Sequence, residues 1–166
     1  MNVLEEFRQI KTVILDVDGV LTNSDLIIQE DGSLLRKMHT RDGYAIKAAL
    51  KAGLQVCIIT GGKSAGVIKR LKALGITDVY SGIQDKKEAY DELVYTYSLD
   101  PERILYMGDD LPDYEVMRYV GMPCCPADAA PEILQLSRYI SPIEGGKGCV
   151  RDVLEKILKL KQQWMQ

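Results

Sequence analysis

The sequence is poor in several residues from which functional sites are commonly built. Its 166 residues include one histidine, one tryptophan, one phenylalanine and four cysteines. Cys57, Cys124, Cys125 and Cys149 show no C-x-x-C or related metal-ligand spacing. Cys57 lies in an apolar strand pattern, where a small buried hydrophobe is expected. The adjacent Cys124 and Cys125 are a poor disulfide arrangement. All four read as reduced thiols, in agreement with an expected cytoplasmic location. His39 falls at the base of a predicted hairpin and is read as structural or interfacial, neither ligand nor base. No apolar run approaches a membrane-spanning length, and the first residues lack a signal-peptide pattern. Neither charge dominates: 21 basic against 24 acidic residues leave a net charge of −3, which argues against a general nucleic-acid binder. The nine tyrosines show no spacing that would build a stacking platform.

What is present suits a single domain over residues 1–166. The chain is 46% hydrophobic and 27% charged, enough for a packed core and a solvated surface. Residues 12–15 are an apolar, β-branched run that stops at Asp16-Val17-Asp18-Gly19, the pattern of a buried strand ending at a polar edge. On a regular strand Asp16 and Asp18 would share a face, and Gly19 permits a sharp exit. Two extended runs around Asp31-Gly32 predict a hairpin over about 25–38. It is too small to bury both faces alone, so it packs on the body or on another copy of the chain.

Beyond the hairpin, helices are expected over 42–53, from Ser64 to Gly75, from Asp85, up to about Tyr119, near 129–137, and from about 148 into the tail. A second buried strand is expected at 54–59, a short one at 78–80, a fourth at 103–107 and a weaker one at 122–125, with a last short strand at 139–141. Alternation of this kind predicts an α/β fold, a Rossmann-like, doubly wound and mostly parallel sheet with a small inserted hairpin.

Three of these strands end in polar signatures: Asp16 and Asp18, then Thr60-Gly61-Gly62, then Gly108-Asp109-Asp110. Lys86 begins a helix between the last two. In a parallel sheet these ends share one edge. The set suits phosphoryl transfer. Mg²⁺ prefers oxygen ligands and takes one or two carboxylates, which Asp16 and Asp109 supply, with Asp110 orienting a metal-bound water. A carboxylate such as Asp16 can attack phosphorus and form an aspartyl-phosphate. The metal and Lys86 would offset the charge of a dianionic ester. Asp18 would protonate the leaving alcohol and then deprotonate water. Thr60 and nearby backbone N–H groups would bind the remaining phosphoryl oxygens.

Some readings stay open at this point. Asp113 either caps a helix or supports the metal ligands from behind. Lys86 competes with Lys87. Arg41 and Asp42 either touch substrate or tie the hairpin to the next helix. Gly145-Gly146-Lys147-Gly148 is either a flexible linker or part of a phosphate site.

Together these residues resemble the four motifs of the haloacid dehalogenase superfamily of phosphatases. Asp16-Val17-Asp18-Gly19 resembles the first, Thr60 the second, Lys86 the third and Gly108-Asp109-Asp110-Leu111-Pro112-Asp113 the fourth. The resemblance covers nearly the whole chain. It implies Mg²⁺ dependence, a nucleophilic Asp16, Asp18 as acid and base, and a metal site made of Asp16, Asp109 and the backbone carbonyl of Asp18. A cap domain is absent, and Leu21-Thr22-Asn23-Ser24, Thr40-Arg41-Asp42-Gly43 and Gly145-Gly146-Lys147-Gly148-Cys149-Val150-Arg151 are similar to the branch acting on phosphorylated keto-deoxy sugar acids. That branch includes the octulosonate 8-phosphate phosphatases, with the nine-carbon sialic-acid-type 9-phosphate phosphatases as the alternative. The resemblance further implies a homotetramer in which hairpins meet at the centre and neighbours complete each site, with Trp164 near a neighbour's site.

One departure bears on substrate. Many members carry arginine directly after Thr-Gly, where this chain has Gly62 followed by Lys63. A lysine holds a carboxylate as a point charge without the bidentate fork. The expected substrate contacts are therefore Gly61, Gly62, Lys63, Arg41 and Asp42, with Arg41 or Lys69 reaching in from another chain. Two other classes fit the residues less well. A signalling receiver domain also uses an acidic pocket, Mg²⁺, Thr and Lys, but lacks Asp-x-Asp on the first strand and an acidic pair after the lysine. An inactive assembly module would not need every motif residue, and all are present.

Overall fold

The computed structural model describes residues 2–166. The chain begins with α1 (Val3–Gln9), capped by the Asn2 side chain, and enters β1 (Thr12–Leu15). A two-stranded hairpin follows, β2 (Ile27–Ile28) and β3 (Leu34–Leu35). Then come α2 (Thr40–Lys51), β4 (Gln55–Ile59), α3 (Ala65–Ala73), β5 (Asp78–Tyr80) and α4 (Lys86–Tyr97). The remainder is β6 (Ile104–Met107), α5 (Leu111–Met117), β7 (Met122–Cys125), α6 (Pro131–Leu136), β8 (Tyr139–Ile140) and α7 (Cys149–Leu160).

Six strands form one sheet in the order β5-β4-β1-β6-β7-β8, every pairing parallel. The chain leaves β1 toward β4 and β5, then returns to β6 on the other side of β1. That reversal opens a crevice at the carboxyl end of β1, the place where open α/β sheets bind ligands.

Both faces are covered, which explains the unbroken apolar strands. Val13 and Leu15 of β1 and Leu105 and Met107 of β6 pack into the layer containing Phe7, Ile46, Leu71 and the apolar face of α7. The alternate residues Ile14, Cys57, Ile104 and Tyr106 pack against Tyr90, Leu93, Val116, Met117 and Ile133 on the other face. Val150, Val153, Leu154, Ile157 and Leu158 of α7 are fully buried, each contributing about 1.5–3 kcal/mol. All four cysteines are free and buried. Among the described residues no helix is long and apolar enough to cross a membrane.

Three local expectations are corrected. Helix α2 starts at Thr40, two residues early, because Nδ1 of His39 accepts the N–H of Arg41 and caps it. The hairpin pairs only two residues on each strand, although its turn is well held: Gln29 N–H donates to Ser33 O, and Gly32 takes a φ of +84°. Its Ile27, Ile28, Leu34 and Leu35 are exposed, so nothing buries the faces that would lengthen the ladder. Finally, Asp16 and Asp18 do not sit on a regular strand. The strand stops at Leu15, and a wide turn over 17–21, closed by Thr22 N–H donating to Val17 O, carries them to different partners.

Candidate active site

Asp16 follows β1, with its N–H bonded to Met107 O of β6. One carboxylate oxygen accepts the Val17 N–H at 2.6 Å, and the other lies 2.9 Å from Nζ of Lys86. Lys86 is the first residue of α4, which Asp85 caps by accepting from the N–H groups of Lys87 and Glu88. The cap aims Lys86 inward, whereas Lys87 pairs with Asp91 at the surface. The same Nζ donates to Oδ1 of Asp113 at 2.7 Å.

Asp113 is fully buried and committed. Its Oδ1 also accepts the Tyr106 hydroxyl at 2.6 Å, and its Oδ2 accepts the N–H groups of Asp109 and Asp110 at 3.1 and 3.4 Å. It closes a capping box with Asp110 at the start of α5. Asp113 is thus both a helix cap and the anchor for Lys86. Gly108 is required for this packing, since a Cβ there would lie 2.4 Å from Cβ of Asp113.

One carboxylate oxygen each of Asp16, Asp109 and Asp113 lie within 4.8 Å of one another. Burial first, then the nearby Asp113, pushes Asp16 well above the usual carboxylate range. Burial, Asp113 and Asp110 push Asp109 up to about 7. Lys86 remains a cation: burial opposes its charge, but Asp113 and Asp16 together outweigh that and raise it. Three carboxylates therefore share one ammonium, an excess of negative charge that a hard divalent cation would relieve. An all-oxygen set of this kind fits Mg²⁺. Asp113 has its oxygens occupied by four donors, which leaves Asp16 and Asp109 as the carboxylates with capacity for the metal. Gly19, at φ +88°, makes the approach of Asp109 possible, because a Cβ there would fall 1.8 Å from Asp109 Oδ2.

A cleft of about 390 Å³ opens above these groups and is bordered by Asp16, Asp18, Thr60, Gly61, Gly62, Lys86 and Asp109, together with Ser24 and Gln84. A larger depression beside Arg8, Lys11 and Lys161 contains no carboxylate, so the chemistry lies in the smaller cleft. Oγ1 of Thr60 accepts the Gly62 N–H at 3.2 Å, which leaves its hydroxyl proton available. Asp110 lies at the rim with Oδ1 accepting the Leu111 N–H.

Other expected residues lie elsewhere. Lys63 is exposed and its stem packs beside Gly82. Arg41 is exposed on the first turn of α2. Asp42 is buried away from the cleft, where Oδ1 accepts the Arg151 N–H and caps α7, a helix whose own N-cap is Gly148. Of the two readings left open for Asp42, the structure shows it tying α2 to another helix, α7. Gly146 N–H donates to Val20 O, so the glycine loop braces the first motif from behind. Trp164 packs on Tyr44 and under the Arg151 guanidinium of its own chain. Two residues escaped the sequence reading. Tyr106 looked like an ordinary apolar strand position, and its hydroxyl found Asp113 only through the fold. Arg36 forks onto Asp18 from the hairpin, 18 residues on; the return of an antiparallel hairpin toward the first motif was its one available signal.

This fold and this site define a haloacid dehalogenase-like hydrolase, and the family model of that description matches residues 75–148. Over 157 residues the chain is 39% identical to 3-deoxy-D-manno-octulosonate 8-phosphate phosphatase of Yersinia pestis, covering 95% of this chain and 84% of that one. The crystal structure of the Y. pestis enzyme superimposes with a TM-score of 0.94 at 38% identity, covering 97% of this chain and 87% of that one. The Moraxella catarrhalis enzyme, solved with magnesium ion, phosphate ion and a KDO molecule, gives a TM-score of 0.91 at 33% identity, over 95% and 90% of the two chains. The chain belongs to the 3-deoxy-D-manno-octulosonate 8-phosphate phosphatase family and is a phosphoric monoester hydrolase. Membership sets aside the receiver-domain reading.

Proposed function

We propose that this protein is a Mg²⁺-dependent phosphatase that hydrolyses 3-deoxy-D-manno-octulosonate 8-phosphate through an aspartyl-phosphate on Asp16. The observation that carries the reading is the contact of Asp16 with Lys86 at 2.9 Å beside the Asp16, Asp109 and Asp113 cluster. Asp16 and Asp109, with the backbone carbonyl of Asp18, would hold Mg²⁺, which supplies charge neutralisation at the phosphoryl oxygens. Lys86 holds the Asp16 carboxylate and faces the incoming dianion. An Asp16 oxygen attacks phosphorus as the sugar oxygen leaves with the proton of Asp18. Asp18 then takes a proton from water, which attacks the aspartyl-phosphate and releases inorganic phosphate. Thr60 Oγ–H and the backbone N–H groups of Gly61 and Gly62 bind phosphoryl oxygens through both steps.

The names and bound molecules of the relatives support the eight-carbon acid over the nine-carbon alternative. The test is phosphate release over eight- and nine-carbon keto-deoxy acid phosphates beside hexose phosphates. A preference for hexose phosphates sinks the substrate assignment, and turnover retained in Asp16→Asn sinks the mechanism.

The exposed Ile27, Ile28, Leu34 and Leu35 of the hairpin support the further reading that the active form is a homotetramer with hairpins at its centre and neighbours closing each cleft. Light scattering of Ile28→Arg should then report a smaller species with reduced turnover. An unchanged mass overturns the assembly.

A further inference from the structure

We infer that Arg36 is the positioning residue that holds Asp18 in register for its proton transfers. The inference rests on the acid and base role of Asp18 given above.

The contact is a two-point fork. Nε of Arg36 donates to Oδ1 of Asp18 at 2.6 Å, and Nη2 donates to Oδ2 at 3.2 Å. Two parallel N–H···O bonds from a planar group fix both the position and the plane of a carboxylate, which one point charge cannot do. Asp18 needs that constraint. It stands on an irregular turn immediately before Gly19, outside any strand or regular helix.

The Arg36 side chain is itself largely covered. Its side chain is only 8% exposed, although Leu34 and Leu35 just before it are 41% and 46% exposed. Arg36 borders a void of only about 10 Å³, lined also by Val17, Thr60, Val67 and Leu71, at the lower limit for one water. Gly62 leaves the room: a Cβ there would lie 3.3 Å from Nη2 of Arg36 and 3.4 Å from Oδ2 of Asp18. Nε and Nη2 are both turned to Asp18, which argues against Arg36 as primarily a substrate contact. The Asp18 side chain keeps 37% of its exposure and borders the cleft. The fork takes one lone pair of each oxygen, and the others stay open for the proton that Asp18 gives and takes.

The step served is balanced. The Asp16–phosphorus bond forms, the bond from phosphorus to the leaving oxygen breaks, and the leaving oxygen takes the Asp18 proton. A poor leaving group needs that proton, and a good one does not. Loss of positioning therefore has a signature that loss of folded protein lacks.

The experiment measures kcat/KM for wild type, Arg36→Ala, Arg36→Lys and Asp18→Asn with phenyl phosphate, 4-nitrophenyl phosphate and 3-deoxy-D-manno-octulosonate 8-phosphate, each with saturating Mg²⁺. Neither aryl ester offers a carboxylate for Arg36 to recognise, and kcat/KM excludes the later hydrolysis of the aspartyl-phosphate. Arg36→Ala should lose about 10²-fold on phenyl phosphate, within the range of a general acid, and only a few-fold on 4-nitrophenyl phosphate. Arg36→Lys, which keeps charge without the fork, should fall between wild type and Arg36→Ala on phenyl phosphate. Equal loss on both esters means that Arg36 only anchors the hairpin and overturns the inference. A loss confined to the sugar-acid phosphate assigns it to substrate binding and overturns it too. If Asp18→Asn shows no leaving-group dependence, the acid role of Asp18 fails, and the inference falls with it. A wild type inactive on every ester would instead overturn the phosphatase reading itself.

Discussion

The ammonium of Lys86 stands 2.9 Å from Oδ2 of Asp16, and both groups are almost completely buried. A charge pair removed from water in this way needs further partners to offset its desolvation. Asp113 supplies them on the lysine side, and the Val17 N–H does so for Asp16. The lysine is thereby fixed where a dianionic ester would meet the nucleophile.

Lys86→Met should lower kcat/KM by about 10²- to 10³-fold, the usual cost of losing one preorganised donor. It also leaves Asp16 and Asp113 facing one another without a cation, and breaking a buried pair costs about 3–5 kcal/mol. Protonation relieves that repulsion, so thermal melts of the metal-free variant should show a larger loss at pH 8 than at pH 5. Equal losses at both pH values would contradict the shared-charge picture.

Tyr106→Phe keeps the ring in the core and removes one donor from Oδ1 of Asp113. A hydrogen bond to a charged group contributes about 1.5–3 kcal/mol. Urea denaturation should report a loss of that order, with turnover reduced far less than in Lys86→Met. An unchanged midpoint would show that another donor replaces the hydroxyl.

Gly19→Ala should abolish Mg²⁺ binding while far-UV circular dichroism stays that of an α/β protein. The added Cβ meets the Asp109 carboxylate at a backbone φ of +88°, so Asp109 must leave the position in which it faces Asp16. Titration calorimetry measures this directly. Wild-type Mg²⁺ affinity in the variant would remove Asp109 from the ligand set.

Mg²⁺ affinity should rise with pH through about 7, because Asp109 is pushed up to about 7 and Asp16 is also raised, and a carboxylate ligand must lose its proton to bind metal. The effect on stability has the opposite sign. A carboxyl whose folded pKa exceeds its ordinary value of 3.8 contributes stability that is complete below about pH 4 and lost as pH rises through about 7. Asp42, raised to about 6 by burial, adds to the same trend. In chelator, wild type should therefore lose stability between about pH 4 and pH 7 relative to Asp109→Asn, and Mg²⁺ should restore it. A parallel pH dependence in the two proteins would rule out Asp109 as the source.

Much of the architecture is legible in the chain because its causes are local. Residues 12–15 are apolar without interruption, so they read as a strand covered on both faces, and the structure covers them on both. Ser64 and Asp85 sit where helices begin because each accepts backbone N–H groups of the turn that follows it. The carboxylates of the first and fourth motifs were recognisable as strand ends, and parallel strands bring their ends to one edge. Arg41, Lys63 and Asp42 were less readable. They lie in loops or at a helix start near the motifs in sequence, and proximity along the chain says nothing about the direction in which a side chain leaves it. Asp42 shows the difference: it turns to the N-terminus of α7, 109 residues away.

Residue order alone accounts for the parallel α/β fold, the inserted hairpin and the carboxylates, threonine and lysine offered at the sheet edge. Hydrophobic periodicity, caps and strand-end residues act over a few positions and leave their mark in the order of residues. Packing settled what Asp113 is bonded to and which partner each of the first-motif carboxylates meets. The motif left Asp113 open between a helix cap and a support for the metal ligands, and its four donors make it both a cap and the anchor of Lys86. Asp16 and Asp18 look like a matched pair, yet the turn sends one to Lys86 and the other to Arg36. Those outcomes depend on distances of a few ångströms between residues remote in the chain, which packing sets and local pattern does not record.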